Sequence, residues 1–225
     1  MKLVVDSSTL ISLSESCLFK IVQHFNQDSR MQFFIPESVL QESIARPLGI
    51  KKYELSAVRI NQGVLAHWMK VWKNRGELDA ATHEIEMLSN ELFTLKGHKL
   101  TIIHRGEAEA LALAKHLGAE LVAIDERTAR LIMEDPKALQ EHIEFKYHDR
   151  VEMNQAALRR LQAIFPQTKV IRSIELVALA FERGYFEGEL AQEKQSLEAA
   201  LYALKNAGCA ISGNEIDAFL KGVKA

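Results

Sequence analysis

Short apolar runs alternate along most of the chain with stretches that have the 3.6-residue period of an amphipathic helix. The four clearest runs read as buried strands, and they are 3–5, 32–35, 119–124 and 169–171. Each run is short and rich in branched or aromatic residues, as is typical of strands buried on both faces of a parallel sheet. Strands that alternate with helices predict an α/β fold with a mostly parallel sheet.

The rest of the chain is read mainly as helix. Helices are predicted at 62–73 and 78–95, and a short strand is a candidate at 145–148. Three further helices are predicted near the C-terminus, at 173–183, 190–206 and 215–221. We therefore predict an α/β domain over 1–172, with helical insertions at about 50–100 and 131–165. The C-terminal helices of 173–225 are expected to pack on the same domain.

Two aspartates directly follow predicted strands, Asp6 after the first and Asp125 after the third. Parallel strands end at the same edge of a sheet, and open α/β sheets bind their ligands at that edge. If the two strands are neighbours, about 5 Å apart, the carboxylates share one site. Glu42 lies on the helix after the second strand, and Glu109 lies near the start of the helix that leads to Asp125.

The same acids also have purely structural interpretations. Asp6 and Asp125 can cap the helices that follow them, since Asp is a preferred N-cap residue. Glu42 can be an exposed residue of a helix face, and Glu107 and Glu109 can both be acids that favour a helix N-terminus. Because Glu107 and Glu109 are two residues apart, they point to different sides of the helix.

If the carboxylates do converge, they repel one another, and a divalent cation removes that conflict. Oxygen ligands suit Mg²⁺ or Mn²⁺. Such an ion activates water and stabilises charge on a phosphodiester during hydrolysis. Ser8 and Arg127, each two residues after a strand-end aspartate, are candidate substrate-binding residues. A cap or turn role for Ser8, and an exposed or ion-paired position for Arg127, explain the same residues without a substrate.

Composition limits the class of protein and the cellular compartment that we expect. The formal net charge of −2 argues against a protein that is basic overall, although it leaves room for a local basic groove. Cys17 and Cys209 are far apart in the sequence and are expected to be thiols in a reducing compartment. The chain shows no signal-peptide pattern and no run of about 20 apolar residues, the length needed to span a membrane. We therefore expect a cytoplasmic protein without a membrane contact.

Four motifs in chain order resemble the PIN-domain family. They are Val4-Val5-Asp6-Ser7-Ser8, then Pro36-x-x-Val39-x-x-Glu42, then Gly106-Glu107-Ala108-Glu109-Ala110-Leu111-Ala112, and finally Leu121-Val122-Ala123-Ile124-Asp125-Glu126-Arg127. The chain looks most like a stand-alone, toxin-like microbial PIN ribonuclease. This resemblance implies a Rossmann-like three-layer α/β/α sandwich with a mostly parallel central sheet, here followed by a helical C-terminal extension.

The resemblance also implies a site. The family's four acids correspond to Asp6, Glu42, Glu109 and Asp125. Of these, Asp6, Glu109 and Asp125 are expected to hold Mg²⁺ or Mn²⁺, while Glu42 holds a second ion or orients the water. Glu109 is preferred to Glu107 because it directly precedes the Ala-Leu-Ala run, as the third acid of the family does.

The function implied is metal-dependent endoribonuclease activity on RNA, with the protein as the toxin of a toxin–antitoxin pair and as a homodimer. Two alternatives stay open. One is a non-catalytic PIN-fold module that binds RNA or a protein, which the unmatched insertions and the acidic balance favour. The other is a structure-specific DNA nuclease, because related folds act on DNA flaps.

Overall fold

The central feature of the fold is a five-stranded parallel sheet. The computed structural model describes residues 1–28, 31–165, 168–186 and 190–222. The strands within these ranges are β1 (Lys2–Val5), β2 (Gln32–Pro36), β3 (Met69–Trp72), β4 (Phe93–Leu95), β5 (His98–Lys99), β6 (Leu121–Ala123), β7 (Val151–Met153) and β8 (Lys169–Ile171). The main sheet has the order β3-β2-β1-β6-β8, and all its pairings are parallel. A small antiparallel sheet has the order β5-β4-β7.

Helices cover both faces of the main sheet. They are α1 (Ser7–Glu15), α2 (Ile21–Asp28), α3 (Glu37–Leu40), α4 (Glu54–Leu65), α5 (Asp79–Asn90), α6 (Arg105–Leu117), α7 (Arg127–Glu134), α8 (Pro136–Tyr147), α9 (Gln155–Ile164), α10 (Ser173–Glu182), α11 (Lys194–Asn206) and α12 (Gly213–Gly222). Helix α3 continues into a π-helical turn at Gln41–Ala45. No helix in the described ranges is long and apolar enough to cross a membrane.

The period-two alternation of the strands divides the core into two clusters. In β1, Leu3 and Val5 face one side, where they join buried residues of α1, α2, α4 and α10–α12. Val4 faces the other side, where it joins buried residues of α5–α9. Because side chains of a strand alternate between faces, a strand with consecutive apolar residues, such as 3–5 of β1, must be covered by helices on both faces. The predicted three-layer α/β/α sandwich with a mostly parallel central sheet is confirmed.

Parts of the secondary-structure prediction were wrong. The helix predicted over 62–73 ends at Leu65, and 69–72 form the edge strand β3. His67, between the two elements, has a left-handed backbone with φ of 59°, so the helix cannot run through it. The strand predicted at 145–148 is instead the C-terminal turn of α8. Segment 50–100 therefore contributes a strand of the main sheet as well as helices.

The helices after β8 pack on the same core as the first strand. Ile174, Leu201 and Ile216, from α10, α11 and α12, are fully buried in the cluster that contains Leu3. The spacing Ser212-x-x-Glu215 predicts a capping box, and the structure shows it, because the side chains of Ser212 and Glu215 each accept from the backbone N–H of the other. The last helix begins at Gly213, two residues before the predicted start. The C-terminal helices thus form part of one side of the sandwich and reach the end of the sheet where the candidate site lies.

Candidate active site

Two strand-end aspartates lie at the same edge of the main sheet, as the sequence predicted. The pairing of β1 with β6 is in register at Val5 and Ala123, and Asp6 follows directly. The backbone N–H of Asp6 donates to the carbonyl of Ala123 at 3.0 Å, which extends the ladder by one step. Asp6 and Asp125 are both buried. The side chains of Asp6 and Asp125 are therefore both shielded from water, and they lie at the ends of neighbouring strands.

Asp6 is the N-cap of α1, and one of its oxygens has no partner. Its Oδ2 accepts from the backbone N–H of Ser8 at 3.2 Å and from the Ser8 hydroxyl at 2.7 Å. Its Oδ1 is buried with no hydrogen-bond partner among the described residues. Burial raises the pKa of Asp6 to about 6; the bonds from Ser8 lower it in part, and the charge of Glu107 raises it further. Buried groups with perturbed pKa values are concentrated at functional sites.

Asp125 is held much more tightly than Asp6. Its Oδ1 accepts from the backbone N–H of Ser173 at 2.6 Å and from the Thr9 hydroxyl at 3.3 Å. Its Oδ2 accepts from the Ser173 hydroxyl at 2.7 Å. Asp125 therefore binds the start of α10, whereas α7 is capped by the next residue, Glu126. The structural alternative, in which Asp125 caps α7, is wrong.

Ser8 connects the two aspartates. Its hydroxyl donates to Asp6 and accepts from the backbone N–H of Asp125 at 3.2 Å. Both roles of the hydroxyl are thus used inside the protein, and they fix the two strand ends relative to each other. Arg127, the other candidate for substrate binding, is exposed at the first residue of α7. A substrate contact for Ser8 or Arg127 stays a prediction.

Glu42 approaches the start of α6. It lies in the π-helical turn after α3, and its Oε2 accepts from the Ser7 hydroxyl at 2.9 Å. Its Oε1 lies so close to Gly106 that a Cβ added there would be 2.6 Å away. A glycine at 106 therefore lets the carboxylate rest against the first turn of α6, where a helix N-terminus favours negative charge. Single π-helical turns often occur at functional sites.

The two glutamates of α6 lie in different surroundings. Glu109 is buried and forms an ion pair with the Arg75 guanidinium, whose nitrogen is 3.6 Å from Oε2, longer than a hydrogen bond. Neither oxygen of Glu109 has a hydrogen-bond partner among the described residues. Glu107 is half-buried, and its Oε2 accepts from the backbone N–H of His104 at 2.9 Å.

Glu107 belongs electrostatically to the site at the sheet edge. Burial is the main cause that raises its pKa, and the charge of Glu42 contributes. Glu107 in turn raises the pKa of Asp6. Three carboxylates, Asp6, Glu42 and Glu107, are therefore coupled, and we call them the acid centre. The sequence motif favours Glu109 over Glu107, because Glu109 directly precedes the Ala-Leu-Ala run. The position of Glu107 in the first turn of α6 is the sequence feature that could have identified it as a site residue.

The acid centre has the donor chemistry for a hard cation. It offers carboxylate oxygens, one of them buried and without a hydrogen-bond partner among the described residues, and negative charge raises the pKa of Asp6 and of Glu107. Within the described ranges, however, no three His, Cys, Asp or Glu side chains are arranged closely enough to hold a metal ion together. The residues therefore fit a cation by chemistry, while the side-chain positions do not define a coordination geometry.

Comparisons with known proteins agree with this architecture. The model of a family described as a PIN domain matches residues 2–137. Neither the curated proteins nor the solved structures contain a match to the chain. The matched segment includes all the acids of the site, which are Asp6, Glu42, Glu107, Glu109 and Asp125. PIN domains are generally nucleases. Because the match covers more than half of the 225 residues, the chain belongs to the PIN-domain family.

Proposed function

We propose that the protein is a metal-dependent endoribonuclease that hydrolyses RNA phosphodiester bonds at the carboxyl edge of its main sheet. The observation that carries this proposal is the state of Asp6. Its carboxylate is buried, has one oxygen without a partner and has a pKa raised to about 6. An arrangement this costly to the folded state is typical of a group kept for binding or catalysis.

Mg²⁺ or Mn²⁺ is the cofactor proposed for this site, with Asp6, Glu109 and Asp125 as its ligands. When bound, such an ion activates a water molecule and stabilises the charge that develops on the phosphate. Asp6 offers its free Oδ1. Asp125 accepts three hydrogen bonds, so one of its roughly four lone-pair sites stays open. Among the described residues, Glu109 accepts no hydrogen bond and forms an ion pair with Arg75.

The neighbouring residues position these acids. Ser8 keeps Asp6 and Asp125 at a fixed spacing, and Ser173 prevents Asp125 from rotating. Glu42 rests at the N-terminus of α6, where it is placed to orient the attacking water or to bind a second ion. With rigid acids, little reorganisation is needed when the phosphate arrives.

Cleavage of single-stranded RNA in Mn²⁺, in Mg²⁺ and in EDTA tests the proposal. The wild-type protein is expected to cleave with the ions and not with EDTA, and Asp6→Asn is expected to abolish cleavage. Asp217→Asn is the matched control, because it makes the same chemical change at an exposed position of α12. Unchanged cleavage by Asp6→Asn, or cleavage in EDTA, would refute the assignment.

A non-catalytic PIN-fold module that binds RNA or a protein is the second candidate. It is favoured by one observation, the lack of a three-ligand group within the described ranges. Calorimetry with Mn²⁺ separates the two candidates. Binding that is lost in Asp6→Asn supports the nuclease, and no binding to the wild-type protein supports the module.

A protein partner is proposed as well, either an antitoxin or a second copy in a cytoplasmic toxin–antitoxin system. Helix α4 supports a protein contact, because Leu55, Val58 and Leu65 are exposed by 62%, 48% and 71%. Exposed apolar side chains grouped on one element are typical of interaction surfaces. Light scattering on the purified protein, with Leu65→Ser as the variant, shows whether a second copy binds there.

A further inference from the structure

A polar groove of about 590 Å³ lies between the N-terminal end of α6 and helix α8. Its volume is within the range of about 300–1,000 Å³ that is typical of ligand sites. Glu107 lines the groove and is also a member of the acid centre, since it raises the pKa of Asp6. Glu126 also lines the groove and directly follows the strand-end Asp125, so the groove borders the proposed site of hydrolysis.

Helix α8 presents one face to this groove. Leu139 and Ile143 are buried in the core and also line the groove, while His142 and Lys146 line it with polar groups. Residues three and four positions apart lie on the same side of a helix, so these four side chains form one face. Tyr147, four residues after Ile143, continues that face at the end of the helix.

The charges around the groove have opposite signs on its two elements. Glu107 and Glu126 bring negative charge from the side of the sheet edge, and Lys146 brings positive charge from α8. A phosphate backbone is repelled by the carboxylates and attracted to Lys146. A nucleic-acid strand in the groove would therefore run its backbone along α8 and approach the acids only at the proposed metal site.

An exposed aromatic ring stands beside the positive charge. Tyr147 is 49% exposed, and the Lys146 ammonium lies 5.4 Å from the centre of its ring. A positive charge beside an available aromatic ring is a combination that binds single strands, because any unpaired base can stack on the ring. Phe145 is more exposed, at 78%, but it lies outside the lining of the groove and its ring is directed to His148.

We infer that this groove binds the single-stranded RNA segment next to the scissile phosphodiester. His142 and Lys146 contact phosphate oxygens, and Tyr147 stacks on a base. This inference rests on the proposed ribonuclease function and adds the substrate contacts. The match to the PIN-domain family ends at residue 137, so these three residues of α8 lie beyond it. The α8 side of the groove thus lies outside the matched segment, while Glu107 and Glu126 on its other side lie within it.

Binding of a short, fluorescein-labelled single-stranded RNA in EDTA, measured by anisotropy over a range of salt concentrations, tests the groove without cleavage. Tyr147→Ala is expected to weaken binding about 5- to 100-fold, the loss of one base stack. Lys146→Ala is expected to lower the slope of log K against log salt by about 0.7, the loss of one phosphate contact with a single strand. Phe145→Ala and Lys137→Ala are matched controls on the exposed surface of the same helix, and each is expected to change binding less than twofold.

The outcomes separate the groove from the nuclease activity. If the controls weaken binding as much as Tyr147→Ala and Lys146→Ala, the groove is not the binding site, while cleavage in Mn²⁺ would still support the ribonuclease. If the wild-type protein neither binds nor cleaves RNA, both proposals are wrong. Equal binding of double-stranded RNA, with the same dependence on Tyr147, would overturn the stacking contact, because paired bases are not free to stack on the ring.

Discussion

The unpartnered carboxylate of Asp6 makes a prediction about stability that needs no knowledge of the substrate. Its pKa is about 6 in the folded protein, raised mainly by burial, against 3.8 for an unperturbed aspartate. The folded state therefore binds more protons than the unfolded state between these values, and stability falls as the pH rises through them. Well above pH 6, the ionised Asp6 lowers the free energy of unfolding by its full amount. A pKa of about 6 in place of 3.8 corresponds to about 3 kcal/mol, at about 1.36 kcal/mol for each pKa unit.

Asp6→Asn removes the ionisation and keeps a carbonyl oxygen to accept from Ser8. The new amide group is buried at the position of Oδ1 and costs about 1–3 kcal/mol if it finds no partner, but this cost does not depend on pH. The informative quantity is therefore the difference between the variant and the wild type at two pH values. From pH 4 to pH 8, the free energy of unfolding of the variant should rise by about 2.5 kcal/mol relative to that of the wild type. The rise is below about 3 kcal/mol because Asp6 already destabilises the wild type in part at pH 4.

Urea denaturation of both proteins at pH 4 and pH 8, with EDTA to exclude metal ions, measures this gain. Asp125→Asn is the matched control, because Asp125 accepts three hydrogen bonds and an amide would place N–H groups against donors. The control should lose stability at pH 8, by about 1.5–3 kcal/mol. If Asp6→Asn and the wild type differ by the same amount at both pH values, Asp6 is not an uncompensated buried acid, and the main argument for the site is refuted.

Three further predictions follow from the same geometry. Gly106→Ala should leave the free energy of unfolding unchanged or slightly higher, because Ala favours helix by up to about 1 kcal/mol. The new Cβ should, however, displace the Glu42 carboxylate and slow RNA cleavage about 10- to 100-fold. Unaltered cleavage would exclude a role for Glu42. Glu107→Gln should lower the pKa of Asp6 in a carboxyl NMR titration, because it removes a repelling charge, and the same change at the exposed Glu141 should not; equal shifts would contradict the acid centre as defined. Ser173→Ala should lower the free energy of unfolding by about 1.5–3 kcal/mol in urea, since it removes a 2.7 Å hydrogen bond to a buried carboxylate, and a loss below 0.5 kcal/mol would show that this bond is weak.

Local sequence patterns predicted the parts of the molecule that depend on local physics. Val4, Val5 and the residues around them form a buried strand because a continuous apolar run is stable only between two helical layers. The placement of Asp6 and Asp125 at one edge followed from parallel strands and from their position just past each strand. The start of the last helix followed from a capping box, in which all partners lie within three residues. These features needed only periodicity, strand direction and short-range capping.

Tertiary structure decided the features that depend on distant partners. Asp125 binds Ser173, which is 48 residues away, and no local pattern relates the two. Glu107 and Glu109 have the same chemistry, and only the packing of α6 directs one toward Asp6 and the other toward Arg75. Residues 145–148 have a strand-like composition, yet they end α8, because burial of Leu139 and Ile143 on one helical face outweighs local propensity. The sequence by itself thus determined four of the five strands of the main sheet and the edge at which the two aspartates lie, while the edge strand β3 and the partner of each acid were set by long-range packing.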